Sequence, residues 1–200
     1  MKCKICKTKF EPKYFLQKTC FNPTCIIEFG KAQKEKIEKK TWKDKKEKHR
    51  LESNGVTDLQ REINKIVKLI DIKFGFNCID CGKIFTSTPH AAHYHDIGGH
   101  NSLRFHLDNI HLCRSHCNQY DTNHKKGYYL GLASRYGVEY REYLEDLNIK
   151  YPIMKFDTHL IAEKLKTTRQ IIREFEFMVF GNAIQARKEL NERIGIYVKK

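Results

Sequence analysis

The sequence predicts an α+β protein, with a small zinc-stabilised core of short strands, an N-terminal zinc module and surrounding helices. Three observations carry this. The eight cysteines fall in close pairs, the arrangement of metal ligands rather than of scattered thiols. Short strand-like pieces, KIFTS (83–87) and NIHL (109–112), sit in a segment rich in Cys, His, Asn and Gly, and helical patterning flanks that segment on both sides. With 200 residues and 40% hydrophobic content, the chain suits one ordinary domain plus a smaller satellite, not one large core.

Lys and Arg outnumber Asp and Glu by 38 to 24, a net charge of +14. That is the electrostatic signature of a chain that meets a polyanion, nucleic acid first and an anionic membrane surface second. No stretch approaches the ~18 apolar residues of a transmembrane helix, and the start, MKCKICKTKF, has no apolar run of signal-peptide length,. A cytoplasmic location is expected. In a reducing compartment paired cysteines read as metal ligands rather than as a disulfide framework.

Taken in order, residues 1–30 form the N-terminal zinc module. Cys3 and Cys6 make a C-x2-C pair, Cys20 and Cys25 a C-x4-C pair, and four thiolates can close a tetrahedral site in a segment too short to build its own core. Residues 31–56 are a basic helical linker. Its stretch from Lys31 to Arg50 carries ten Lys or Arg against four Asp or Glu. Lys39, Lys40, Lys43, Lys45 and Lys46 are the expected contacts to a phosphate backbone, although such a run is more often only a solvated face.

Ser53, Asn54 and Gly55 mark a break, after which Thr57 and Gln60 fit a capping box. Leu59, Ile63, Ile66, Val67 and Ile70 then share one helical face. This helix opens the core segment, 57–128. Within it, Cys78 and Cys81 form C-x2-C ahead of Gly82, and Cys113 and Cys117 supply the second half of a closed zinc site. His116 is the alternative to Cys117 as fourth ligand. A saturated zinc explains the fold and not a reaction.

The helical C-terminal region is 129–200. YYLGLASRYG (128–137) ends at a glycine, VEYREYLEDL (138–147) runs on to a stop near Pro152, and two further helices occupy roughly 158–192,. Thr167 with Gln170 is a second capping box and predicts a helix start there. The stretch HLIAEKLKTTRQIIREFEF scans as a helix-turn-helix, but its turn lacks Gly, so an ordinary helical hairpin is expected. IIREFEFMVF (171–180) is a possible contact surface, more simply an internal core.

Residues 93–118 hold six of the ten histidines, with Asn101, Asn109 and Asn118 among them. These residue types suit phosphodiester hydrolysis. A neutral imidazole takes a proton from water near pH 7, and oxygen or nitrogen ligands hold a divalent ion against phosphate. A His-rich tract binding metal adventitiously is the bland alternative. The interleaved Leu103, Phe105, Leu107, Ile110 and Leu112 argue against it, since they anchor the segment in a core.

The layout of C-x2-C, strand, His93, loop, Asn109, strand end, then Cys and Cys-Asn on a helix resembles the HNH, or ββα-metal, nucleases in their zinc-stapled form. More narrowly, AAHYHDIGG, LRFHLDNIH, CNQY and YYLGLASRYG resemble the NinG family of lambdoid-type phages, also called Rap. CKICKTKFEPKY and LQREINKIVKLID resemble it too, so the likeness covers at least residues 1–140. It implies a recombination endonuclease that cuts branched DNA, namely Holliday junctions and D-loops, and an HNH-like nuclease core at 57–128.

Carried over residue by residue, the resemblance makes His93 the general base and has Asn109 fix the loop and orient His93. It has Asn118 ligate a catalytic Mg²⁺ or Mn²⁺, Arg104 contact phosphate and Phe105 pack beneath the loop. Zn²⁺ at two cysteine sites would be structural. The chain departs from many HNH enzymes at Ala92, where an Asp ligand usually precedes the base. His95, Asp96 and His111 are the replacements to consider, and His95, fourteen residues before Asn109, is the alternative base.

Two other readings share these features: a non-catalytic, zinc-dependent DNA-binding protein, and an HNH endonuclease acting on linear duplex. Symmetric cutting of a four-way junction needs two active sites, which makes a homodimer an expectation.

Overall fold

The structure is a computed structural model and describes residues 1–99, 101–151 and 156–197. His100 of the histidine cluster and the stop at Pro152 lie outside the described residues. The chain divides into two compact units, Met1–Ser53 and Asn54–Lys200.

In the first unit the chain forms a knuckle around Cys3 and Cys6. Cys3 N donates to Thr8 O at 2.9 Å, Lys2 and Lys9 bridge antiparallel, and Lys4 N donates to Lys18 O at 2.9 Å. The first helix, α1 (Pro23–Lys73), then begins with Pro at its first position, where the missing N–H costs nothing,. Along it Lys39, Lys40, Lys43, Lys45 and Lys46 are all exposed. Lys46 Nζ lies 5.1 Å from the ring centre of the exposed Trp42.

The expected break at Ser53–Gly55 does not occur, because α1 runs through it. Ser53 Oγ donates to His49 O at 2.9 Å, so the hydroxyl is satisfied inside the helix instead of capping a new one,. Gln60 likewise donates forward to Asn64 Oδ1 at 2.9 Å rather than back toward Thr57. The apolar stripe on this part of α1 is as expected, with Leu59, Ile63, Ile66, Val67 and Ile70 fully buried.

The second unit contains a two-stranded antiparallel sheet of β1 (His90–His93) and β2 (Ile110–Cys113), in the register His90 with Cys113 and His93 with Ile110. NIHL is thus largely strand, but KIFTS is not. Its neighbourhood is taken up by the knuckle turn, where Gly82 N donates to Cys78 O and Cys78 N to Lys83 O, both at 3.0 Å. The strand falls instead on HAAH, whose residues are weak strand formers that only packing selects. All four residues of β2 are buried, so this strand is covered on both faces and shows no polar alternation, whereas in β1 only Ala92 is buried.

Helix α2 (Ser115–Tyr120) follows β2, then come α3 (His124–Tyr136) and α4 (Val138–Lys150). The last two meet at Gly137, whose φ of 95° is disfavoured for side-chain-bearing residues,. Gly127 and Gly131 on α3 have a different reason to be glycine. A Cβ at either would overlap Asp80 or the Ile79 carbonyl, so α3 lies directly on the Cys78–Cys81 knuckle. Tyr128, Leu132, Tyr140, Leu144 and Leu147 join Cys78, Ile79, Ala92, Leu103, Cys113 and Cys117 in one core.

Helices α5 (Thr158–Glu174) and α6 (Ala183–Ile194) close the fold. Asp157 caps α5, accepting from Leu160 N at 2.8 Å. The predicted start at Thr167 is wrong for a clear reason: Thr167 Oγ1 donates to Glu163 O at 3.3 Å within an unbroken helix, which also removes the turn of a helix-turn-helix. In 171–180, Ile171 and Phe175 are core whereas Phe177 and Val179 are exposed. Among the described residues no helix is long and apolar enough to cross a membrane.

Candidate functional site

The cysteines gather in two thiol clusters, and the second, through Cys113 of β2, fixes the backbone beside the histidines. The four sulfurs of Cys3, Cys6, Cys20 and Cys25 lie within 4.8 Å of one another, as do those of Cys78, Cys113 and Cys117. Cys81 joins the second cluster through Cys117, at 3.5 Å. His116 is exposed, its ring toward Tyr120, so Cys117 rather than His116 stands with the other thiols.

A tetrahedral zinc with bonds of about 2.3 Å sets its sulfurs about 3.8 Å apart. The pairs Cys6–Cys20 and Cys78–Cys113 are both 3.7 Å apart. The electrostatics of the clusters suit a cation. The hydrogen bond from Cys113 draws the Cys78 thiol down to about 4, and burial pushes Cys117 up to about 12. In the first cluster burial raises Cys25 to about 12. Burial acts the same way on Cys3, but backbone N–H groups of Cys20, Ile5 and Cys6 outweigh it and bring that thiol to about 6. Crowded thiols divide the charge unequally, and a bound Zn²⁺ would let all of them ionise. Both donor sets fit the metal.

Beside the second cluster is a hydrogen-bonded pair that sequence reading missed. His124 Nδ1 lies 2.7 Å from Asp80 Oδ2, and both stand within reach of Cys113. Asp80 sits inside the C-x2-C pair, the only signal that could have marked it.

The histidines separate into distinct environments. His93 lies on β1, half-buried, with Nε2 3.0 Å from Arg104 O. A carbonyl only accepts, so Nε2 carries the proton and Nδ1 keeps its lone pair. Burial lowers its pKa, more than the Arg104 carbonyl raises it, so the ring is neutral at pH 7,.

His95 is buried and turned elsewhere, its Nε2 2.7 Å from Leu144 O. His111 is fully buried. Tyr128 Oη donates to Ala92 O at 2.9 Å and therefore accepts from His111 Nδ1 at 3.0 Å, leaving His111 Nε2 without a partner among the described residues. Asp96 is exposed and pairs with Lys125 at 2.6 Å. Of the residues considered in place of the Asp missing at Ala92, His95 and Asp96 are therefore engaged with protein, and His111 is fully buried.

Asn109 is fully buried at the foot of β2. Its Nδ2 donates to Leu103 O at 3.2 Å, next to the Arg104 carbonyl that holds His93. Asn118, on α2, borders a cavity of about 460 Å³ together with His90 and Ala91 of β1. His93 shares the face of β1 that Ala91 occupies, two residues away. Phe105 is buried against Phe156, ring centres 4.8 Å apart. Arg104 is partly exposed, with Nη1 3.5 Å from Asn101 Oδ1.

The loop from 102 to 110 is held from behind by α6 and Tyr197, residues with no sequence motif. Arg187 donates to Leu107 O and, at 2.8 Å, to Ile110 O. Asn191 Oδ1 accepts from Leu107 N at 3.0 Å. Tyr197 Oη donates to Ser102 O at 2.7 Å and accepts from Phe105 N at 3.1 Å. A larger cavity of about 960 Å³, walled by Tyr140, Tyr143, Tyr151 and Tyr197, contains none of the predicted site residues.

Residues 1–176 match the family model described as Bacteriophage Lambda NinG protein. The chain is 28% identical over 155 residues to "Protein ninG" of Escherichia phage 933W, covering 69% of this chain and 76% of that relative. The same figures hold for "Protein ninG" of Enterobacteria phage VT2-Sa. No solved structure matches the chain.

Proposed function

Because this chain belongs to the NinG family of bacteriophage proteins, we propose that it is a DNA endonuclease with an HNH-like core that cuts branched recombination intermediates, Holliday junctions and D-loops, by metal-dependent phosphodiester hydrolysis. The observation that carries the reading is His93: a neutral imidazole on β1, its Nε2–H spent on the Arg104 carbonyl and its Nδ1 available as a base.

In this reading His93 Nδ1 takes the proton of the attacking water. Asn109 keeps the loop that presents the Arg104 carbonyl, and so sets the direction of the ring. Asn118 and oxygens of the DNA would hold Mg²⁺ or Mn²⁺, which supplies charge stabilisation at the phosphate. No further protein ligand is assigned to that ion, since His95 and Asp96 are engaged elsewhere and His111 is fully buried. The zinc-type clusters hold the backbone. Affinity comes from the net charge of +14, with the exposed lysines at 39, 40, 43, 45 and 46 and Arg104 contacting phosphate. Cutting both strands of a symmetric junction would take two copies of the chain.

The test is cleavage of a labelled four-way junction beside a linear duplex of the same sequence, with Mg²⁺ or Mn²⁺, by wild type and His93→Ala. Metal-dependent cutting of the junction by wild type, lowered about 100-fold or more in the variant, is expected. Preferential cutting of the duplex would make it an HNH enzyme of linear DNA. Binding without cutting by either protein would make it a zinc-dependent DNA-binding protein.

A further inference from the structure

The cavity that Asn118 borders has a second wall, made by α1. Arg61, Asn64, Lys65 and Lys68 line it, and their spacing of three, four and seven puts them on one helical stripe. Leu59, Ile63, Ile66, Val67 and Ile70 occupy the buried side of the same turns. Thus the turns that anchor α1 in the core also turn a row of cations toward the start of β1 and Asn118.

We propose that this groove binds the sugar-phosphate backbone of the strand being cut, with Arg61, Lys65 and Lys68 on successive phosphates next to the one Asn118 faces. This rests on the endonuclease reading and adds to it the surface that holds the strand. From Arg61 to Lys68 the helix rises about 10 Å, the axial length of about three nucleotide steps. Asn64 and Thr88 stand in the same cavity as neutral hydrogen-bonding groups of the kind that accompany phosphate contacts.

Local carboxylates do not cancel the charge. Arg61 lies 3.2 Å from Asp58 and Lys65 2.9 Å from Glu62, and Arg169 shares Glu62 at 3.8 Å. With Lys68, which has no acidic partner among the described residues, four cations face two carboxylates. In these pairs Asp58 and Glu62 are largely buried whereas Arg61 and Lys65 are more than half exposed, so each cation keeps N–H groups on its solvent side that a phosphate can take. A divalent ion held by protein alone is disfavoured by the same excess of positive charge. A phosphodiester is favoured by it.

The test is the salt dependence of binding, followed by anisotropy of a labelled four-way junction on the full-length protein without Mg²⁺, from about 50 to 200 mM salt. Arg61→Gln/Lys65→Gln/Lys68→Gln is expected to bind at least about 10-fold more weakly and to flatten the slope of log K against log salt by roughly 0.7–0.9 per cation removed. Lys65→Arg/Lys68→Arg is expected to keep the wild-type slope. Lys68→Gln, which orphans no carboxylate, is the second variant should the triple one fold poorly, with a change of roughly 0.7–0.9.

A wild-type slope in both the triple variant and Lys68→Gln, with wild type cutting DNA, overturns the groove and leaves the endonuclease standing. A wild type that binds neither junction nor duplex at any salt removes both.

Discussion

Asn109 clasps the peptide of His95 at both ends: its Oδ1 accepts from His95 N at 2.8 Å and its Nδ2 donates to His95 O at 3.1 Å. The side chain thereby continues the pairing of β1 with β2 past the last backbone rung, where Tyr94 N donates to Asn109 O at 2.9 Å. A third bond, to Leu103 O, joins the loop to the same amide.

Asn109→Ala should therefore destabilise the protein by about 1–3 kcal/mol, since buried backbone groups lose their partners. Asn109→Asp should be no better, because a carboxylate cannot donate to the two carbonyls. Urea unfolding followed by circular dichroism measures this. A loss below about 0.5 kcal/mol in both variants would mean that the loop is held without the clasp.

His93 should set the acid limb of cleavage. Burial lowers its pKa below the ordinary 6.5, and the unprotonated ring is the active form. Activity should then be level near neutral pH and fall as pH drops through a midpoint below 6.5. His95→Ala should leave that limb in place, since its ring is spent on Leu144 O. The kcat/KM profile of both proteins decides it, and a limb that vanishes in His95→Ala would transfer the base to His95.

Metal analysis of the purified protein should give two zinc ions per chain, one for each thiol cluster. Cys78→Ser should lose one of them, together with the near-ultraviolet signal of Tyr128 and its neighbours, because Cys78 belongs to the same core. Gly131→Ala should act on the same contact from the other side by pushing α3 off the Ile79 carbonyl, at a cost of about 1–3 kcal/mol. Intact zinc content in Cys78→Ser would refute the second site.

Arg187 and Asp71 form a fully buried ion pair, 2.5 Å apart. Arg187→Met should cost about 3–5 kcal/mol, because it leaves the Asp71 charge buried and two loop carbonyls short of a donor. Arg187→Met/Asp71→Asn should cost less than the sum of the two single changes. Equilibrium unfolding of the three variants measures the coupling, and strict additivity would show that the pair does not act as one.

Buried histidines should make the fold acid-sensitive. Burial lowers the pKa of His111 well below the ordinary 6.5, and that of His106 also. The unfolded chain then binds more protons than the folded one as pH falls below 6.5, so stability should be complete above that pH and decline beneath it. Urea midpoints across this range for wild type and His111→Gln test it. Equal acid sensitivity in the two would place the cause elsewhere.

Much of this was legible along the chain, wherever the chemistry is local. The C-x2-C pairs, the apolar stripe from Leu59 to Ile70 and the glycine end of α3 at Gly137 all depend on residues within one turn or one knuckle. The order of His93, Asn109 and Asn118 could also be read, because their types and spacings survive in one dimension.

Only tertiary structure decided the rest. It chose HAAH over KIFTS as a strand, because partners across the sheet outweigh propensity in four residues. It ran α1 through Ser53–Gly55 and α5 through Thr167, where side chains bonded back into the helix and could not cap. It also joined Asp71 to Arg187 across 116 residues and set the cation stripe of α1 beside Asn118. Residue types at such separations carry no period that a sequence window can detect, and only packing of the whole unit brings them together.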